Sequence, residues 1–411
     1  MNGLLYVFKE ILIVVKDLSL DPEWGFYKEK KRPTFIVPYK RNLYDQEMKD
    51  AVMKVLDAAS VTQGEVADLP ETEQRLFENE FAYFCGCKYA LMFGSALHGL
   101  YLLFRLQGFS KGDEVIMAPN IEPANANIIE QAGGRPVFVD ADEDTLNMDV
   151  TKIEKKITNK TKAIHPIHGH GHPTDMDQVM EIARKHNLYV VEDATHATGC
   201  KYKGRRLPVG HAAVFGMVVK CLWLPATGSM MVTDDDATEE KLRMLMSWPG
   251  RRAPAEVTDF KGKGIIHATK TISDDISAAV GRIQLRHLDG YTEAQRRNAK
   301  MYTELLNGLP LILPKEKNYA QHCFLRYVTR TEERDALQSY LKKHGIDSRV
   351  IYKTPAHLYA YYRENYGYKK GDFPVAEKIK ETEIGLPEPT KDRTKWEIEY
   401  TASKVKEFFA K

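Results

Sequence analysis

The chain has 411 residues, of which 43% are apolar, and a formal charge of +2 at pH 7. That length and apolar content allow a large buried core and suggest one big α/β domain with a smaller one beside it. The near-balance of charge leaves no basic field for nucleic acid or for an anionic membrane surface. The five cysteines (Cys85, Cys87, Cys200, Cys221 and Cys323) lack zinc spacing, and Cys85-Gly86-Cys87 is one residue too tight for a CxxC pair. They are read as the reduced thiols of a cytoplasmic protein, with no metal site.

An apolar run from Leu4 to Val15 opens the chain, interrupted by Lys9 and Glu10 and followed by no small-residue cleavage site. It is expected to be an extra helix packed on the body or on a partner subunit, rather than a signal peptide or membrane span. From Asp45 to Ala58 the spacing of Met48, Val52, Val55 and Leu56 predicts a helix. The tetrapeptide Val61-Thr62-Gln63-Gly64 follows, then a helix around Glu71 to Phe84 and a short strand from Tyr89 to Phe93.

Gly94-Ser95-Ala96-Leu97-His98-Gly99-Leu100 reads as a strand-to-helix turn. A glycine and a hydroxyl at a helix N-terminus leave backbone N–H groups and a dipole aimed at an anion, which is how a phosphate is held. The plainer alternative is Ser95 as an ordinary N-cap. Lys111 to Pro119 is a turn and a strand, continued by Asn120-Ile121-Glu122-Pro123-Ala124-Asn125 with no aromatic residue. Arg135 to Asp140 gives the next strand. Alternation of strands and helical stretches over residues 88–235 predicts βαβ units and a mostly parallel sheet, with function at the carboxyl ends of its strands.

His168, His170 and His172 alternate, so in an extended chain they share one face and three imidazoles there suit zinc. Tyr189-Val190-Val191-Glu192-Asp193-Ala194-Thr195-His196 is a β-branched run ending in a carboxylate pair and a histidine, as a buried parallel strand delivers polar groups at its end. Ala212 to Cys221 is an apolar run ending on Lys220, where burial lowers an amine's pKa toward the nucleophilic range.

Glu192-Asp193-Ala194-Thr195-His196, Lys111-Gly112-Asp113-Glu114-Val115-Ile116, Asp175-Met176-Asp177, and His344 to Tyr352 with Pro355, His357-Leu358 and Gly371 to Glu377 together resemble the DegT/DnrJ/EryC1/StrS family. The resemblance spans about residues 36 to 410. It implies an α/β fold of fold type I: residues 36–290 as a large domain with a mostly parallel sheet flanked by helices, and residues 291–411 as a small C-terminal α+β domain. Residues 1–35 are then an N-terminal extension.

The same resemblance implies an enzyme that uses pyridoxal 5′-phosphate to aminate a keto-sugar, nucleotide-linked, or a keto-cyclitol, at the expense of an amino donor. Asp193 is then the partner of the cofactor's pyridine nitrogen, and Gly94 and Ser95 hold its phosphate. His196 holds its phenolic edge, and Lys220 forms the Schiff base and moves the proton. Thr62, His168, Tyr352 and His357 are the substrate-side residues. A homodimer with shared active sites comes with the family, without nucleic acid or membrane. Three departures keep other readings open: Cys221 falls at the aligned place of the lysine, Gly216 replaces the phosphate serine, and the cross-subunit asparagine segment near Thr271 is lost. One alternative is a lysine-less dehydratase-like enzyme in which Cys221 acts as acid or base; another is a protein that kept the fold, lost the cofactor and serves another ligand.

Overall fold

The computed structural model describes residues 35–40, 44–57, 72–216, 228–246 and 273–410. The N-terminal apolar run, Thr62, Lys220, Cys221 and most of the segment near Thr271 lie outside the described residues. Residues 37–411 group into one unit.

In chain order, the first part comprises α1 (Gln46–Asp57), α2 (Glu73–Cys85), β1 (Tyr89–Phe93), α3 (Ala96–Leu106), β2 (Glu114–Met117), α4 (Pro123–Gln131) and β3 (Arg135–Phe138). Next come β4 (Thr161–Ile164), α5 (Met176–His186), β5 (Tyr189–Asp193), β6 (Lys201–Tyr202), β7 (Ala212–Gly216), β8 (Ser229–Thr233) and α6 (Asp236–Met246). The remainder is α7 (Asp275–Leu306), β9 (Ala320–Gln321), β10 (Tyr327–Arg330), α8 (Arg334–Lys343), α9 (Ala360–Tyr366), α10 (Pro374–Thr382), β11 (Glu383–Leu386) and α11 (Lys395–Phe409). The expected helices near Asp45 and Glu71 and the strand at Tyr89 are present to within two residues.

Seven strands form one sheet in the order β1-β8-β7-β5-β4-β2-β3. β8 runs antiparallel to both of its neighbours, and every other pairing is parallel, so the sheet is mostly parallel as expected. Its strands are largely apolar because both faces are covered, with polar residues mostly at their ends. Val190, Ala213, Phe215, Met230 and Val232 face a core shared with Phe77 and Phe81 of α2, Val179 and Met180 of α5 and Val280 of α7. Val191, Ala212, Val214 and Met231 face the opposite core, with Leu100, Leu103 and Phe104 of α3 and Ile128 and Ile129 of α4. Phe77 and Phe81 are wholly buried, and each contributes roughly 1.5–3 kcal/mol by leaving water.

α7 is the spine. Asp274 caps it by accepting Ser277 N–H at 2.7 Å, and Gly281 lets it cross α2, because a Cβ there would stand 2.5 Å from the Phe77 ring. Its far half enters a third core of Ala299, Tyr302 and Leu306 with Tyr327, Leu337, Ile384 and Ile398. There β10 and β11 pair antiparallel, and α11 begins in a capping box between Thr394 and Glu397. Among the described residues no helix is long and apolar enough to cross a membrane.

Candidate active site

β5 ends in two carboxylates that face opposite ways, because side chains alternate across a strand. Glu192 belongs to the α2/α5/α7 face and is wholly buried. Its Oε1 accepts the N–H groups of Val209 (2.7 Å) and Gly210, and its Oε2 meets His168 Nε2 at 2.8 Å. Thr174 N–H donates to His168 Nδ1 at 3.0 Å, so Nδ1 is bare and the ring proton sits on Nε2, pointing at Glu192. This pair ties the end of β5 to the turn after β4, and the backbone adds bonds from His168 N to Asp193 O (3.0 Å) and from Asp193 N to Pro166 O (2.9 Å).

Asp193 belongs to the other face, under α3 and α4, and is 3% exposed. Its Oδ1 accepts Thr195 N–H at 2.9 Å and Thr195 Oγ1–H at 2.5 Å; its Oδ2 accepts Asn125 Nδ2–H at 3.1 Å. A carboxylate offers about four acceptor positions. Among the described residues three are filled, which leaves one on Oδ2 for an N–H brought by a ligand.

Two further acceptors border this carboxylate. Asn125 Oδ1 is buried with no partner among the described residues, and so is His165 Nε2. His165 Nδ1–H donates to Val191 O at 2.7 Å and the ring stands edge-on to Phe104 at 5.2 Å. Burial pushes that imidazole's pKa down, so it is neutral and its free nitrogen is a bare acceptor near Asp193. Buried polar atoms are normally satisfied, and orphaned acceptors beside a strand-end carboxylate mark a place for a donor.

Gly216, at the end of β7, keeps this arrangement possible. A Cβ there would fall 3.1 Å from Thr195 O and 3.2 Å from Thr195 Cβ, so a larger residue would press on Thr195, which holds Asp193. α3 packs over β5, β7 and β8, with its N-terminus following Gly94 and Ser95. Ser95 occupies the N-cap position in extended geometry, but its exposed hydroxyl makes no capping bond, which leaves it and the first helical N–H groups for an anion.

Beyond Asp193, the partly exposed His196 lies nearly parallel to His170 at 6.5 Å between ring centroids. His170 also meets Tyr352 at 5.9 Å. Arg326 stands 5.9 Å from the Tyr352 ring and shares a side-chain hydrogen bond with it. Burial pushes the Tyr352 phenol up, and the charge of Asp193 pushes the same way. Asp193, His196 and Tyr352 therefore belong to one neighbourhood.

Two expected substrate residues are corrected by the geometry. His168 is 0% exposed and both of its ring nitrogens are engaged, by Glu192 and by Thr174 N–H, so it anchors the strand end and offers no edge to a substrate. His357 is also 0% exposed: Nε2 meets Glu377 Oε1 at 3.1 Å and the ring packs on Phe373 at 4.7 Å. Nor do the alternating histidines share a face, because the segment is a tight turn with His170 at φ +58°. His172 donates from Nδ1 to Pro173 O and accepts Lys317 N–H on Nε2, with burial holding its pKa down at about 4.

Asn125, Thr195, His165 and Arg326 did not stand out in the sequence. The signal for Thr195 and His165 is positional: each sits next to or level with a strand end where an apolar residue would pack as well. Asn125 requires knowing that the first turn of α4 meets the end of β5.

With this geometry in view, the likeness to known proteins is specific. Residues 42–405 match the DegT/DnrJ/EryC1/StrS aminotransferase family. The chain is 36% identical over 344 residues to the dTDP-3-amino-3,4,6-trideoxy-alpha-D-glucose transaminase of Streptomyces venezuelae, covering 83% of this chain and 86% of that one. It is 33% identical over 371 residues to a pleiotropic regulatory protein of Geobacillus stearothermophilus, covering 89% and 96%. The crystal structure of S. venezuelae DesV in complex with a ketimine intermediate superposes with a TM-score of 0.80 at 32% identity, covering 89% of this chain and 95% of that one. A sheet with this strand order, an acid at the end of β5 and a match across nearly the whole chain lead to one assignment: the chain belongs to the DegT/DnrJ/EryC1/StrS aminotransferase family and has the type I fold of pyridoxal-phosphate aminotransferases.

Proposed function

We propose that this protein is a pyridoxal-phosphate-dependent aminotransferase that places an amino group on a keto-sugar carried by a nucleotide. The observation that carries the reading is the Asp193 carboxylate, buried at the carboxyl end of β5, held on Oδ1 by Thr195 and on Oδ2 by Asn125, with one acceptor position left among the described residues. The S. venezuelae relative, a transaminase of a dTDP-linked amino sugar, supports the substrate class.

The residues fit the cofactor: an acid for a basic ring nitrogen at one end, and a helix N-terminus with a spare hydroxyl for a phosphate at the other. When bound, pyridoxal phosphate supplies the electron sink needed to move an amino group between carbon atoms. Asp193 keeps a proton on the ring nitrogen. Gly94, Ser95 and the first N–H groups of α3 take the phosphate. Lys220 is the amine that anchors the group and then moves the proton, a role that rests on its place in the sequence. His196 borders the ring edge, Tyr352 lies on the substrate side, and Thr62 is placed with it by sequence. The active sites are shared between two copies of the chain.

The test is absorbance of the purified protein with added pyridoxal phosphate, followed by borohydride reduction and peptide mapping. A visible band that borohydride bleaches and fixes onto Lys220, and that Lys220→Ala abolishes, is the expected result. Bound cofactor that borohydride fixes nowhere would shift the reading to a lysine-less enzyme using Cys221. Absence of binding would overturn it.

A further inference from the structure

α4 is the helix that carries Asn125 to Asp193, and it has little of its own to hold it there. It is nine residues long, and its N-cap residue, Glu122, makes no side-chain capping bond among the described residues. Ala126, Ile128 and Ile129 set its depth, since they join the core with Leu103 and Phe104 of α3. Apolar contacts of that kind resist lifting more than sliding, because they have no preferred direction.

Register along the sheet comes from the polar side. Asn127 and Glu130 are three residues apart, hence neighbours on the helix surface, and both are taken by tyrosines of α9. Tyr362 Oη–H donates to Asn127 Oδ1 at 2.6 Å. Tyr361 Oη–H donates to Glu130 Oε2 and Tyr366 Oη–H to Glu130 Oε1, each at 2.5 Å. One carboxylate thus receives a phenol on each oxygen, and such charge-assisted bonds are short and directional. The Glu130 bond and charge push the Tyr361 phenol up, and burial followed by Glu130 does so for Tyr366, so both keep the protons they donate.

The segment that carries these tyrosines starts on the ligand side. Tyr352, whose ring meets His170, precedes it, and Ala356 N–H donates to Pro119 O at 2.6 Å, in the turn between β2 and α4. Ala356 and Tyr362 are buried in the same core as Ile128 and Ile129. α4 is therefore gripped on both sides of its first turn, at Pro119 before it and at Asn127 and Glu130 after it. What that grip delivers is the Asn125 Nδ2–H bond to Asp193 Oδ2. At 3.1 Å it lies near the long end of the N–H···O range of about 2.7–3.2 Å, so a slide of α4 by a few tenths of an ångström loses it.

We propose that Glu130 is a positioning residue for the Asp193 acid: with Tyr361 and Tyr366 it fixes α4 so that Asn125 meets Asp193. That the acid serves a cofactor ring rests on the aminotransferase reading; the placement of Asn125 does not.

Two measurements on the full-length protein test it. The side-chain amide signal of Asn125, observed by nitrogen–proton NMR after asparagine labelling and identified by its loss in Asn125→Ala, reads the bond without any cofactor. Glu130→Ala keeps a strong helix former in place, and Tyr361→Phe combined with Tyr366→Phe keeps both rings; each change is expected to move that signal toward the value of a free amide. Fluorescence titration with pyridoxal phosphate is expected to show a loss of about 3- to 10-fold for either change, the worth of one hydrogen bond. Added to Asn125→Ala, Glu130→Ala is expected to lower affinity by less than about twofold more, because its effect runs through Asn125, whereas a purely structural role would multiply the two losses. The proposal is overturned by an Asn125 signal that stays in place in Glu130→Ala, by cofactor affinity within about twofold of the parent, or by losses that multiply. Should Glu130→Ala not fold, the protein with Tyr361→Phe and Tyr366→Phe decides by the same measurements. A parent that binds no pyridoxal phosphate ends the cofactor reading, and the amide signal then still decides whether Glu130 positions Asn125.

Discussion

Replacing Glu192 by glutamine changes one oxygen to an NH2 group, and the structure dictates where that change is felt. Val209 and Gly210 N–H groups need an acceptor on the Oε1 side, so the remaining oxygen stays there and the NH2 faces His168. His168 cannot switch tautomer to receive it, because Thr174 N–H requires Nδ1 bare. Two donors then meet across 2.8 Å in a site with no solvent access. Loss of a charge-assisted bond and an unsatisfied buried donor together cost about 2–4 kcal/mol. Glu192→Ala leaves three donors stranded and opens a cavity, for about 4–7 kcal/mol, a large part of a typical 5–15 kcal/mol stability. Urea unfolding measures both, and nitrogen NMR of His168 reads the tautomer directly. A Glu192→Gln protein within about 0.5 kcal/mol of the parent, or a proton found on Nδ1, refutes the assignment.

Asp193→Asn removes the charge while keeping the shape, and is expected to weaken pyridoxal phosphate binding by about 10- to 100-fold with little effect on unfolding; unchanged affinity in a fluorescence titration would remove Asp193 from the site. Thr195→Val deletes the Oγ1 bond to Asp193 and should weaken the cofactor by about 10-fold, while Gly216→Ala, pushing on Thr195 from 3.1 Å, should act in the same direction at a cost of about 1–3 kcal/mol in stability. A Gly216→Ala protein that binds the cofactor as the parent does speaks against Thr195 as the support of Asp193. Glu383 is held by burial at a pKa of about 7, above the ordinary carboxylate value, although Ile351 and Tyr352 N–H groups bond its Oε1. The native state thus keeps a proton that the unfolded chain releases, so this group's contribution is complete below about pH 4.5 and is lost as pH rises through about 7, by roughly 3 kcal/mol. Glu383→Gln, which is neutral throughout, should flatten the fall in stability between about pH 5 and pH 7; an unchanged slope assigns the effect to other groups.

Fold class and the position of Asp193 were legible in one dimension. Apolar runs such as Val190-Val191 and Ala212 to Phe215 are readable because a strand covered on both faces is mostly apolar, and the acids that close such a run lie at the strand's end. Helices at Asp45 and Glu71 are readable from local periodicity, which needs no partner. Which polar residues face a ligand became clear only from the packed molecule. His168, Glu192 and His357 look as reactive along the chain as Asp193 does, yet the first two lock to each other and the third to Glu377 in the core. Conversely, Asn125 and Thr195 matter because α4 and the turn after β5 converge on one strand end from 68 and 2 residues away. Hydrogen-bond partners are set by packing between distant segments, and burial decides whether an imidazole or a guanidinium is a support or a binding group; neither is written in local sequence.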